Sequence, residues 1–151
     1  MRPSPRSEAY WPADRSVPLR DTTVGSLLRE AALDAPDRVG LIAGAPGDLR
    51  RWTFAELLRD AERVAGALLS RFDPGERVAA WAPNLPEWVL LEYGAGLAGV
   101  VLVTVNPAYQ RRELAYVLGQ SGASGIFLVP ECRGNSMLEA LVSVRPELPD
   151  L

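Results

Sequence analysis

The chain has 151 residues and 48% apolar content, enough for one domain, or one lobe of something larger, with a sizeable buried core. Nineteen acids against sixteen bases leave a net charge of −3 and no basic stripe, which argues against a nucleic-acid partner. Every base is arginine. Without lysine or histidine there is no Schiff-base lysine, imidazole base, Ser-His-Asp triad or histidine metal ligand, and the lone Cys132 can form neither an internal disulfide nor a CxxC pair.

Residues 1–20 are rich in Pro and Arg and show no period, so they predict a flexible leader before a domain over 21–151. The leader lacks the apolar core of a secretory signal. From Thr22, Val24, Leu27, Leu28, Ala31 and Ala32 fall on one helical face, and Pro36 ends the run. "RVGLIAG", 38–44, predicts a strand closed by the turn cluster "GAPGD". Thr53 and Glu56 have the spacing of a capping box, and Phe54, Leu57, Leu58, Ala61, Val64, Ala65 and Leu68 follow at helical intervals. "DPG", 73–75, is a turn before the strand 77–82.

A helix opens near Pro86, where a missing N–H costs little, and runs into Gly94, Gly96 and Gly99. "VVLVTV", 100–105, has five β-branched residues and no charge, and predicts a buried strand. Asn106 and Pro107 turn the chain into a helix carrying Leu114, Val117 and Leu118, with Gly122 as its stop. A strand over 124–130 follows, then a last helix cut by Pro146 and Pro149. Tyr93 to Gln110 carries no charge, but its glycines, Asn106 and Pro107 make it helix end plus strand rather than a membrane span. The alternation predicts an α/β fold with a parallel, helix-covered sheet and right-handed crossovers, in a cytoplasmic protein.

Gly94, Gly96 and Gly99 have the G-x-G-x-x-G spacing of dinucleotide-binding loops. That fingerprint needs a strand before it and a helix starting at it, so that helix N–H groups meet the pyrophosphate. Here the order is reversed, and the glycines sit where helix carbonyls point. They are expected to let the helix lie close to the sheet and then to stop it.

Ligands of open α/β sheets gather beyond the carboxyl ends of strands. Two such ends are legible, "WAPNLPEW" at 81–88 and "TVNPAYQRREL" at 104–114. Asn84 is expected to cap its helix, Asn106 to bridge turn backbone and Pro107 to fix the exit angle. Glu87, Glu92 and Glu113 read as solvated or Arg-paired surface acids, and Cys132 as an inert small apolar residue.

"RWTFAELLRDAERVAGALLSR" and then "ERVAAWAPNLPEWVLLEYGAGLAGVVLVTVNPAYQRRELAYVLGQSGASGIFLV" resemble the N-terminal part of the adenylate-forming (AMP-binding) acyl-CoA synthetases. "VTVNPAYQRRELAYVL" and "VRPELPDL" are most similar to the medium-chain fatty-acyl-CoA branch. The resemblance runs from about Thr22 to Leu151. It implies an incomplete N-terminal lobe of that fold, and a reaction in which a carboxylate and ATP give an acyl-adenylate that CoA then takes up. ATP, Mg²⁺ and CoA are implied for the complete enzyme, with none bound by this chain alone. The family's phosphate loop ends in Pro-Lys-Gly; "QSGASG", 120–125, has no such continuation. The resemblance therefore transfers no catalytic, cofactor-binding or metal-binding residue to this chain. The phosphate loop and C-terminal domain are expected outside it, and the chain alone is expected to be inactive.

Two other readings stay open: an interaction or scaffold module derived from the same lobe, and an NAD-binding domain built on the glycines. Without the rest of a synthetase, the lobe is expected to expose a sheet edge and to self-associate.

Overall fold

A computed structural model describes residues 12–151, so the first eleven residues of the expected leader lie outside the described residues. The first helix, α1 (Val24–Asp34), starts where the Thr23 side chain accepts from Ser26 N. It buries only Gly25 and Leu28; Val24 and Leu27, expected on the apolar face, stay exposed.

The expected single strand is an antiparallel hairpin of β1 (Val39–Ala45) and β2 (Asp48–Thr53), and it forms a sheet of its own. Helix α2 (Phe54–Leu69) leaves it through the predicted capping box. Thr53 Oγ1 accepts from Glu56 N at 3.2 Å, and Thr53 N donates to Glu56 Oε2 at 2.9 Å. Such a cap contributes about 1 kcal/mol. The buried Leu57, Ala61, Ala65 and Leu68 contribute several times that, at roughly 1.5–3 kcal/mol for each leucine, so tertiary packing holds the helix more than its cap does.

The main sheet has three parallel strands in the order β4 (Val101–Val105), β3 (Arg77–Trp81), β5 (Gly125–Leu128). Helices α3 (Pro86–Ala98) and α4 (Arg111–Ser121) make the connections. The chain steps from β3 out to β4, then back past β3 to β5. Crossovers of one hand therefore put α3 and α4 on opposite faces, and the core divides accordingly. Val78 and Ala80 of β3 pack with Ala65 and Leu68 of α2 and Leu91, Ala95 and Ala98 of α3. Ala79 and Trp81 point the other way, into Leu114 and Leu118 of α4 and Met137, Ala140 and Val144 of α5 (Met137–Val144).

Central β3 is buried on both faces, as a parallel strand should be. β4 is not the fully buried strand its sequence predicts. It is an edge strand with Val101 and Thr104 exposed, because one of its sides has no neighbour among the described residues. β5 ends the sheet on the other side and leaves Phe127 exposed. A two-residue hairpin, β6 (Glu131–Cys132) and β7 (Asn135–Ser136), then leads into α5, whose N-cap is Ser136. Among the described residues, no helix is long and apolar enough to cross a membrane.

Candidate functional site

The glycine triplet has the direction its sequence order predicts. Gly94 and Gly96 lie within α3, and Gly99 ends it with φ +73, a conformation glycine adopts without penalty. The Gly99 carbonyl accepts from Gly75 N, just before β3, so the triplet approaches the amino ends of the strands. The close approach is to helices, not to the sheet as expected. A Cβ on Gly94 would stand 2.5 Å from Val64 Cγ1 of α2, and one on Gly96 would stand 3.4 Å from Gly25 N of α1. The triplet packs three helices together, and its last member terminates α3.

The carboxyl ends of β3 and β4 lie at the other end of the sheet. Their exit loops lead to helices on opposite faces, and a crevice opens between such strands. A cavity of about 580 Å³ occupies that place. Pro83 and Asn84 line it from the β3 exit, Asn106, Pro107, Ala108 and Gln110 from the β4 exit, and Cys132, Arg133 and Asn135 from the β6–β7 hairpin.

Asn106 plays the bridging part expected of it. Its Oδ1 accepts from Ala108 N at 2.9 Å, and its carbonyl accepts from Tyr109 N at 3.0 Å and from the indole Nε1–H of buried Trp81 at 3.0 Å. The β4 exit is thereby tied to the last residue of β3. Asn84 does not cap α3. Leu85 is the N-cap, without a side-chain hydrogen bond, so the amide of Asn84 is left on the cavity wall. Gln110 N donates to Glu113 Oε2 at 3.2 Å, which makes Glu113 a capping residue of α4 rather than an ion-pair partner. Glu87 and Glu92 are exposed and form no ion pair among the described residues.

Sequence reading missed the hairpin side of the cavity. Cys132 pairs with Asn135, which leaves Arg133 and Gly134 as the two loop residues with φ +51 and +77. Two positive φ values in a two-residue loop are the mark of a type I′ turn, whose first position favours Asn, Asp or Gly. Arginine obscures that signal. Nδ2 of Asn135 is buried without a hydrogen-bond partner, a state that costs about 1–3 kcal/mol. Among the described residues that line the cavity, Arg133 is the one charged side chain.

Two further concavities flank this one. Between the β1–β2 hairpin and the start of α3, the Arg50 guanidinium lies 4.0 Å from the centre of the Trp52 ring. The Trp52 indole donates to Asp60 Oδ2 at 3.3 Å. Burial alone would raise the Asp60 carboxyl. The hydrogen bond and charge of Arg59, the Trp52 N–H and the charge of Arg63 outweigh it and hold the group below the usual carboxylate range. Beside the open edge of β5, an apolar groove of about 560 Å³ is walled by Val64, Trp88, Leu91, Phe127 and Val129.

The described residues do not fit a magnesium nucleotide. No three Asp, Glu, Cys or His among them stand together as metal ligands, and neither strand exit carries a glycine-rich cradle. The cavity wall carries amides, the Cys132 thiol and a guanidinium.

Comparison with known proteins gives this geometry a family. Residues 28–150 match the family described as AMP-binding enzyme. The medium-chain acyl-CoA ligase ACSF2, mitochondrial, of Mus musculus is 38% identical over 131 residues, covering 86% of this chain and 21% of that protein. A Mycobacterium tuberculosis fatty acyl CoA synthetase aligns with a TM-score of 0.71 at 28% identity, over 82% of this chain and 23% of that one. The N-terminal domain of FACL13 from Mycobacterium tuberculosis aligns with a TM-score of 0.72 at 27% identity, over 83% of this chain and 30% of that one. The chain thus spans about a fifth of the length of the curated relative it matches. A capped helix, a parallel strand, a Pro/Asn exit and a glycine-stopped helix follow one another in the order that the resemblance implied, and the chain belongs to the AMP-binding enzyme family.

Proposed function

We propose that residues 21–151 are part of the N-terminal lobe of an ATP-dependent fatty-acyl-CoA synthetase, with residues 1–20 as its leader. In this reading the remainder of the synthetase supplies the groups that handle ATP, Mg²⁺ and CoA. The lobe contributes scaffold and no catalytic, cofactor-binding or metal-binding residue. The observation that carries the reading is the match over residues 28–150, together with a relative 38% identical over 21% of its own length. The residues agree with it chemically. Adenylyl transfer demands donors that neutralise phosphate charge, and this chain has no lysine and no described metal-ligand cluster.

The test is acyl-AMP formation from ATP, Mg²⁺ and a medium-chain fatty acid by the purified 151-residue chain. No product is expected. Product formed by the chain alone would refute the placement of the active site. An open frame beyond codon 151 encoding the Pro-Lys-Gly loop would identify the remainder directly.

The same proposal puts that remainder against the open β5 edge and its apolar groove. An isolated chain should then self-associate, and a monomer by light scattering at high concentration would count against this. A cytoplasmic location belongs to the proposal as well. Cell fractionation tests it, with an organelle of the kind named for the mouse relative as the opposing outcome.

A further inference from the structure

We propose that two copies of the chain pair through the open edge of β1, antiparallel about a two-fold axis at Ile42, and so join their hairpins into one sheet ordered β2-β1-β1-β2. The proposal goes beyond the adenylation reading and uses none of it. The β1–β2 hairpin is a separate sheet from the one that β5 ends, so this surface is not the β5 edge given to the remainder of a synthetase. A two-stranded sheet is all edge, and a lone hairpin is marginally stable until more strands or a helix support it. Native proteins guard such edges with charge, proline or a covering element. Strand β2, "DLRRWT", is guarded by Asp48, Arg50 and Arg51. Strand β1, "VGLIAGA", has no charge and no proline in its seven residues. Its register irregularity lies between Val39 and Leu41, and pairing with β2 is regular from Leu41 to Ala45.

The edge is also open. Leu41, Ile42, Ala43 and Gly44 all border a cavity of about 750 Å³ whose far wall is Leu85, Pro86 and Val89 at the start of α3. Successive residues of a strand point to opposite faces, so an unbroken run of lining residues means that the backbone edge itself borders the space. Alternate residues there turn N–H and C=O groups away from β2. Ile42 is 54% exposed. The charges select a second copy as the occupant. Arg38 stands just before β1 and Asp48 just beyond the turn that ends it; both are exposed, and neither forms an ion pair among the described residues. Antiparallel pairing centred on Ile42 sets Leu41 opposite Ala43 of the second copy and carries the Arg38 end of each strand to the Asp48 end of the other. The symmetry makes that match twice. Strand β2 paired with itself in the same way would set Arg50 opposite Arg51, and like charges directly opposite repel. The contact is a single strand wide, smaller than the roughly 800 Å² per partner of a stable interface, so the dimer forms as concentration rises.

The experiment is sedimentation velocity of the full 151-residue chain over a range of concentrations. It is run on the wild type and on Phe127→Lys, which charges the exposed β5 edge and separates association there from association at β1. A monomer–dimer equilibrium is expected to persist in Phe127→Lys. In that background Ile42→Lys, which sets two cations opposite each other at the axis, should weaken the dimer by at least about tenfold, and Ile42→Val should keep it. Arg38→Glu should weaken it as well, and Arg38→Glu combined with Asp48→Arg should restore it. That rescue cannot come from a folding defect, and it carries the test if Ile42→Lys folds poorly. A synthetic peptide of residues 38–45 should shift the dimer toward monomer more than a scrambled peptide does. A monomer at every concentration, a dimer that Phe127→Lys abolishes, a folded Ile42→Lys chain that dimerises as before, or a charge exchange that restores nothing overturns the proposal.

Discussion

Adding one methyl group at Gly94 sets two effects of opposite sign against each other. Alanine is favoured over glycine in a helix interior by about 1 kcal/mol. The new Cβ would stand 2.5 Å from Val64 Cγ1, 2.8 Å from Val64 Cβ and 3.2 Å from the Ala61 carbonyl oxygen. A side-chain rotation could move Cγ1, but Val64 is β-branched and stiff at χ1. Its Cβ moves only with the backbone of α2. Helices α2 and α3 must therefore separate, with Ala61, Ala65 and Ala95 losing packing beneath them. Overpacking of this type costs about 1–3 kcal/mol before relaxation. Subtracting the helix gain leaves a net loss of about 1 kcal/mol.

Gly66 supplies the control, since it lies in α2 with nothing within 4 Å of an added Cβ. Gly66→Ala should gain about 1 kcal/mol. Urea unfolding followed by far-UV circular dichroism would measure both variants as midpoint shifts at constant slope. Gly94→Ala combined with Val64→Ala should be less destabilised than the two single effects summed, because the contact is shared. A Gly94→Ala chain as stable as wild type, alongside a stabilised Gly66→Ala, would refute the close-packing account of the glycines.

Three other outcomes follow from the same structure. Thr53→Ala removes the acceptor for Glu56 N and should cost about 1 kcal/mol in urea unfolding, with secondary structure retained. Trp81→Phe removes the indole donor to Asn106 and some buried volume. Because Tyr109 N still satisfies that carbonyl, the loss should be about 2 kcal/mol rather than the larger cost of an orphaned group. Asp60 has a depressed folded-state value, so its contribution is present above the ordinary carboxylate range of about 4 and is lost as pH falls through the folded value. Thermal melts from pH 7 down to pH 3 (roughly the interval that brackets carboxylate titration) should show acid loss of stability that Asp60→Asn diminishes. Glu76, lowered by the Asp73 N–H and by Ser124, keeps some slope in the variant. An unchanged slope in Asp60→Asn would remove Asp60 from the account.

What the sequence could determine by itself was carried by neighbours a few residues apart. Thr53 and Glu56 cap one helix, Gly99 and Gly122 stop two others, and Pro86 opens the one that Gly99 stops, because capping and left-handed termini need only local backbone. The same local order distinguished a glycine-stopped helix from a nucleotide loop, and it left α/β alternation readable. Strand β2 escaped because "DLRRWT" buries only Trp52 and shows no alternation. The two-residue strands of the second hairpin are too short for any period.

Tertiary structure alone decided what depends on distant partners. It set the strand order that turns an apolar β4 into an exposed edge, and the helix-on-helix contacts that explain Gly94 and Gly96. Asn84, Asn106, Arg133 and Asn135 are far apart in the chain and share a wall only because β3 and β4 lie side by side and the hairpin folds back over their ends. Caps and stops are chosen by energies within one turn of chain. A cavity is chosen by which strands pair across a whole crossover, and no local pattern carries that information.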